Sequence, residues 1–561
     1  MKSALLNNHK NQLIVFIGGC ILGIIAFGSI FGFAVVNPTY DDWIFHSAGD
    51  MGQHYLGWKF YRNTSWTFPF GLIDGLSSEG MISCIYTDSI PLLAVFFKLI
   101  SPVLPETFQY IGLWELISYM LMGGLSALLV YRYNKNPLFC ITVSIFYILA
   151  PATIARAMHH EALSGQWILI LGLLLCAYRE HNWKHRITPV ILWTVLGILA
   201  VSIHIYFIPM IYMIMLGYIL SDIFKSKKAV RPIAVFASTT FFSLIFMYGI
   251  GAFYGDGNLK AGGLGIYSAN YNAFFNSYGY SKFLKPLNTC NNNSEGMGYL
   301  GLGMILLGFM SIIVTFYLIE KKNKPFLSAL KDTAAEYRTD LIICFIVIAA
   351  SMFLAASPIG TFNGRVIYTI NYPGAINNIL EIFRASGRFI WVSDYILFTA
   401  FLAIISKLDG KKTVCFAAFL CLGIQLLDLR DWFTNLHTAF ASDKINYQSP
   451  VQSEKMDELS DGADEFIFLP LPRNYLEYRD MYYAFAEYAC DNDMELSSFY
   501  LARADYDILA EYAREQLELL SSGNGRDDAV YVFMDTDSVP QNINGIEIYE
   551  IGGYTLAVCS D

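Results

Sequence analysis

Charge is scarce in this chain. Of its 561 residues only 15% are charged while 55% are hydrophobic, and the mean hydropathy is +0.43, a composition far from that of a soluble globular protein. Basic residues are outnumbered: 37 Lys and Arg face 47 Asp and Glu, for a net charge of −10. No stretch is basic enough to bind nucleic acid. The sequence also lacks CxxC, HExxH, Walker A and GxSxG patterns, which argues against ATPase, metalloprotease and lipase chemistry. Ten cysteines are present, but several lie inside apolar runs, and spacing alone pairs none of them.

What the chain has in abundance is long apolar segments. Leu13 to Val36 holds no charged residue, enough to cross a hydrocarbon core of about 30 Å as a helix. It reads as a retained signal anchor, because the run is too long for a cleaved leader and no small-residue cleavage site follows. Ten further runs follow: 109–131, 137–153, 162–178, 187–203, 205–223, 232–254, 299–318, 341–356, 391–405 and 413–427. The expectation is a multi-pass α-helical membrane protein with about eleven transmembrane helices. Ile90 to Val103 is too short and too broken by proline to cross, and is expected to be a re-entrant or interfacial helix. With that assignment the basic connections, from Arg132 and Lys135 through Arg179, Lys184 and Arg186 to Lys407, Lys411 and Lys412, fall on one side. By the positive-inside rule that side, with the N-terminus, is cytoplasmic.

The polar segments then face outward. The loop Asn37 to Pro91 is rich in carboxylates (Asp41, Asp42, Asp50, Asp74, Glu79, Asp88) and in rings (Trp43, Tyr55, Trp58, Tyr61, Trp66), with His54 and Arg62 among them. Aromatic faces cover apolar sugar C–H groups and carboxylates accept from hydroxyls, so such a loop suits sugar ligands. Arg156, His159, His160 and Glu161 gather after the third run, where Arg156 and His160 would share a helix face and could meet a phosphate or a metal. His204 marks a break in the stretch 187–223, and Glu295 ends the polar connection 255–298. In FRASGRF, Arg384 and Arg388 are one helical turn apart at the edge of a membrane helix. Planar guanidinium forks there would bind a lipid-linked phosphate, although snorkelling, or pairing with Glu381 or Asp394, is an equal alternative. Glu115, inside an apolar run, is expected to face the bundle interior.

From Asp428 onward the composition becomes that of a soluble domain, so the expected division is 1–427 and 428–561. EFIFLPLP, AVYVFMD, GIEIYEI and YTLAVC read as strands, and 478–489 and 505–520 as helices, which makes a small α/β domain. Asp491-Asn492-Asp493 and Asp535-Thr536-Asp537 have the Asp-x-Asp form used by some soluble sugar transferases, in turn-like contexts that favour a structural role.

Two motifs carry a resemblance. GDMGQHYLGWKFYR, with Asp50 leading a helix, and YTDSIPLL, with Asp88-Ser89-Ile90-Pro91 before a proline-led helix, resemble the first-loop pattern of the GT-C superfamily of polyprenyl-phosphate-dependent glycosyltransferases, without its double proline. QHYLGW, TDSIPLLA, EG followed by YLGLG, and FRASGRF are also similar to a bacterial family of multi-pass membrane proteins of unassigned substrate. The resemblance implies a GT-C-like fold in a bacterial cytoplasmic membrane, with the C-terminal domain extracytoplasmic. It implies an inverting transfer of sugar from a polyprenyl phosphate to a glycan, lipid or protein acceptor. Asp50 or Asp42 would act as base, and Arg384 and Arg388 would hold the phosphate. His159, His160, Glu161, Glu295, His204, Asp88 and His54 would line donor or acceptor. Some members of that superfamily use a divalent metal and others do not, so the cofactor stays open. A flippase or polysaccharide exporter, or an O-antigen-type polymerase, are the alternatives.

Overall fold

The first apolar run folds into one long helix, Lys2–Phe31, which ends earlier than expected because Gly32 turns the chain at φ 74 and Ala34–Val36 winds as a 3₁₀ turn. In the computed structural model the described residues are 2–46, 49–178, 187–255, 263–293, 295–472, 474–501, 503–540 and 545–559. The basic residues Arg179, Lys184 and Arg186 lie outside them. The chain divides into two units, each assembled from separated segments.

The larger unit comprises Met1–Pro38, Tyr110–Leu244 and Gly262–Asp443. The protein is a helical membrane protein: seven helices among the described residues are long and apolar enough to cross a bilayer, namely His9–Phe31, Ile111–Tyr131, Phe207–Ser226, Val230–Gly249, Leu302–Glu320, Arg338–Ala355 and Ser386–Ile405. Lys411–Asp428 and Arg430–Phe440, bent by 53°, make an eighth if taken together. Pro137–Ile148, Glu161–Ala177 and Thr188–Ile203 are apolar but shorter. Small residues let the first two long helices touch. A Cβ on Gly19 would strike the carbonyl of Gly123 and one on Gly123 that of Gly19, the close approach typical of helices packed in lipid.

The connections of this unit are ordered by side-chain amides and one buried carboxylate. Asp428 accepts from the Ser281 hydroxyl, from Tyr299 Oη at 2.7 Å and from the Leu302 amide at 3.2 Å. Asn293 accepts from the amide of Cys290 at 2.9 Å and from Thr361 Oγ1 at 3.1 Å. Segment 357–390 forms a hairpin, Ile359–Phe362 with Arg365–Thr369, and then the helix Gly374–Ile382.

The second unit comprises Thr39–Gln109, Ile245–Ala261 and Lys444–Asp561. Its sheet has the spatial order Glu495–Leu496, Glu465–Leu469, Ala529–Phe533, Tyr554–Cys559, Ile546–Ile551. The first three strands are parallel and the last two pair antiparallel. Glu465–Leu469 and Ala529–Phe533 are buried along their whole length, as strands covered on both faces must be. Phe466 and Phe468 meet Phe485 and Tyr482 of the helix Arg479–Asp491, with ring centroids 5.1 and 4.7 Å apart. On the other face Ile467, Leu469, Tyr531 and Phe533 join Ala513 and Leu520 of the helix Tyr506–Ser521 in one apolar cluster. The helix Arg479–Asp491 also packs on Met51–Asn63, where a Cβ on Gly52 would come within 2.5 Å of the Tyr483 ring.

Candidate functional site

In the membrane unit, three cationic or potentially cationic side chains converge on one carboxylate. Glu295 Oε2 accepts from Arg156 Nη2 at 2.7 Å and from Arg388 Nε at 3.2 Å, while His160 Nε2 lies 4.0 Å from Oε1. All are largely buried: the side chains of Arg156, Arg388 and Glu295 are 7%, 11% and 15% exposed. Burial alone would raise the Glu295 carboxyl, but the guanidiniums of Arg156 and Arg388 outweigh it and hold it at about 2. The two guanidiniums thus favour the ionised form of Glu295. Two guanidiniums against one carboxylate leave a net positive centre, and Arg156 Nε, buried, has no hydrogen-bond partner among the described residues.

The chain reaches this arrangement through a glycine contact. A Cβ on Gly387 would sit 2.7 Å from the Gly296 Cα, so the two backbones touch and bring Glu295 beside Arg388. The Gly387 amide donates to the Tyr267 carbonyl at 2.9 Å, and Trp391 Nε1 to the Met297 carbonyl at 3.1 Å. Arg388 also lies over the Tyr206 ring at 4.7 Å, and the Tyr206 hydroxyl accepts the Ala385 amide at 2.8 Å.

Arg384 and Arg388 do not share a helix. Gly374–Ile382 has ended before Arg384, and Arg388 sits in the 3₁₀ turn Ser386–Phe389. Arg384 lies instead over the Tyr267 ring at 5.5 Å. Likewise Arg156 and His160 are not on a helix but in a turn, held together by a hydrogen bond from the His160 amide to the Arg156 carbonyl at 2.8 Å. His159 stacks edge-on against His160 at 4.7 Å. Glu161 is 1% exposed and its carbonyl accepts from Trp114 Nε1 at 2.7 Å. His204 accepts the Tyr206 amide through Nδ1 at 3.1 Å, which fixes the residue beneath Arg388.

The second unit holds a carboxylate cluster around a single lysine. Lys59 Nζ donates to Asp491 Oδ1 at 2.6 Å, and Tyr55 Oη to Asp41 Oδ2 at 2.7 Å. Glu487, one turn before Asp491, has a buried Oε2 with no hydrogen-bond partner among the described residues. Burial pushes the Glu487 carboxyl up, Asp41, Asp491 and Asp42 add to the rise, and Lys59 only partly offsets it, leaving it at about 7. Burial also raises Asp41, against the Tyr55 hydrogen bond and Lys59. Asp42 opens the helix Asp42–His46 and accepts the Tyr447 amide at 3.1 Å. Asp50 precedes Met51–Asn63 and accepts from Tyr500 Oη at 3.2 Å. His54 Nε2 lies 4.0 Å from Asp88 Oδ2. Asp88 and Ile90 have φ of 52 and 50, strained for a β-branched residue such as Ile90, and Ser89 steadies the turn by donating to the His54 carbonyl at 2.8 Å.

Sequence reasoning thus named Glu295, Arg388 and His160 but gave Arg156 a lesser place, and it missed Lys59 and Glu487. The signal for Glu487 was present, a carboxylate four residues before Asp491 within the apolar stretch that follows Arg479 and Asp480. Among the described residues no group of three or more His, Cys, Asp or Glu side chains is arranged to hold a metal ion.

A family model described as "Domain of unknown function (DUF6311)" matches residues 20–430, and one described as "DUF6311 C-terminal domain" matches residues 455–560. The chain belongs to the DUF6311 family. No curated protein matches it.

Proposed function

We propose that this member of the DUF6311 family is a membrane glycosyltransferase. It moves a sugar from a polyprenyl-phosphate donor to a glycan, lipid or protein acceptor on the extracytoplasmic side of a bacterial cytoplasmic membrane, with inversion at the anomeric carbon. The observation that carries this reading is the buried, net-cationic centre formed by Arg156 and Arg388 about Glu295, with the Arg156 Nε donor unused among the described residues. Guanidinium groups suit a phosphate because they donate in a planar fork and stay charged when buried. Glu295 keeps the pair from repelling when the site is empty.

In the reaction the acceptor hydroxyl attacks the anomeric carbon, and the bond from that carbon to the phosphate oxygen breaks. The phosphate leaves with the electron pair, and a carboxylate takes the hydroxyl proton. Asp42 and Asp50 are the bases that the resemblance implies. A GT-C-like body of about eleven crossings is supported by the seven long helices, the bent pair and the three shorter apolar helices, which together number eleven. The basic connections support a cytoplasmic N-terminus. An exporter is the second reading, favoured by Glu115, fully buried on the helix Ile111–Tyr131 where a carboxylate marks a translocation path in many carriers.

The test is sugar transfer from a radiolabelled polyprenyl-phosphate sugar by the full chain in proteoliposomes. Parent protein is expected to transfer, and Arg388→Ala, Asp42→Asn and Asp50→Asn are assayed separately. Loss of about 100-fold or more in Arg388→Ala and in at least one Asp variant is expected. Transport of the intact lipid-linked sugar without transfer would establish the exporter instead.

A further inference from the structure

We propose that the second unit docks on the bilayer through a continuous apolar face centred on the helix Pro91–Leu99, and that membrane lipid is what covers it. This inference stands apart from the reaction proposed above.

The helix is about 14 Å long, less than half a hydrocarbon core, so it cannot cross. Its two faces differ sharply. Leu92, Phe96, Leu99 and, in the following 3₁₀ turn, Val103 recur at helical spacing and are 36%, 53%, 66% and 82% exposed. Pro91, Ala94, Phe97 and Lys98, on the opposite side, are buried. That is the pattern of an amphipathic helix lying in a membrane interface.

The face is held as a rigid ledge. Lys98 Nζ is buried without a hydrogen-bond partner among the described residues, 4.0 Å over the Tyr61 ring and 4.8 Å over that of Trp66. Arg62 fastens the chain beyond the helix, donating from Nη1 to the carbonyls of Pro105 and Glu106 at 2.9 and 2.7 Å.

The ledge is also continuous with a surface that must already lie in lipid. Trp66, 49% exposed, contacts Lys98; Phe68, 69% exposed, meets the Tyr248 ring at 5.8 Å. Tyr248 belongs to the last turn of Val230–Gly249, a long apolar helix only 22% buried within the protein. Exposed tryptophan and tyrosine at the end of such a helix mark headgroup depth. The apolar face therefore begins where the membrane helix ends. Lipid docking would also fix the depth of Met51–Asn63, because Ser89, two residues before the ledge, bonds to the His54 carbonyl.

The test uses the full chain in proteoliposomes containing a phosphatidylcholine with a diazirine in its acyl chain, with lipid adducts mapped by peptide mass spectrometry after illumination. Adducts are expected on residues 92–103 as well as on 230–249, which serve as the internal reference. Adducts on 230–249 with none on 92–103 would overturn the proposal. In the double variant Leu99→Asp/Val103→Asp the yield on 92–103 should fall at least tenfold while that on 230–249 is unchanged. An unchanged yield on 92–103 in that variant would also overturn it.

Discussion

Replacing Glu295 by Gln removes the one anion between two buried guanidiniums while keeping the side-chain volume. Leaving buried charge without its partner costs about 3–5 kcal/mol. The proton equilibrium gives a similar figure: the folded carboxyl sits at about 2, against an ordinary value of 4.5, a difference worth about 3 kcal/mol. Because the folded value is depressed, this stability is fully present above pH 4.5 and is lost as pH falls toward 2. At pH 7 the Glu295→Gln protein should therefore melt at least about 3 °C below the parent in lipid nanodiscs. The reasoning makes a second demand on the same sample. A polyprenyl phosphate supplies a new anion to Arg156 and Arg388, so at a concentration of 100 times its Kd it should restore about 2.7 kcal/mol through linkage. At one common lipid concentration the stabilisation should be larger in Glu295→Gln than in the parent, because the variant binds the anion more tightly. A variant that melts with the parent, or that gains no more from the lipid phosphate than the parent does, would refute the idea that Glu295 is the counter-ion of an anion site.

Three other outcomes follow from the geometry. Gly387→Ala places a Cβ 2.7 Å from the Gly296 Cα, so it should cost about 1–3 kcal/mol and weaken lipid-phosphate binding without removing a charged group, measurable by the same melts. Glu487, raised to about 7, should make the parent less stable as pH rises from 4.5 to 7, by about 3 kcal/mol at most; denaturation of Glu487→Gln across that range should lack this slope, and the variant should be the more stable at pH 8. Lys98, whose burial lowers its ammonium to about 8, is held charged at pH 7 at a cost, so Lys98→Met should raise stability there by about 1 kcal/mol or more and approach the parent as pH nears 10.

The apolar helices and the C-terminal strands were legible because each is written in a local pattern. EFIFL and AVYVF are short runs dominated by β-branched and aromatic residues, and they form two fully buried strands. The proline-led segment after Ile90 was legible as a non-crossing helix for the same local reason, its length. The candidate site was legible only in its ingredients. Arg388 and Glu295 lie 93 positions apart, and what joins them is the contact of two glycines, which leaves no periodic trace. Lys59 and Asp491 are 432 positions apart and meet because one helix lies on another. Where helical spacing was used to pair side chains it misled: Arg384 and Arg388 are four apart, yet the helix stops at Ile382 and sends them to different partners. Arg156 and His160 came together anyway, because the turn between them keeps the same i to i+4 hydrogen bond that a helix would have made.

Saturation binding of a tritiated polyprenyl monophosphate to the purified full chain tests the lipid-phosphate site most directly. The account predicts one saturable site per chain, weakened about tenfold or more by Arg388→Ala or Arg156→Ala. Binding that is absent in the parent, or equally tight in both alanine variants, would contradict it.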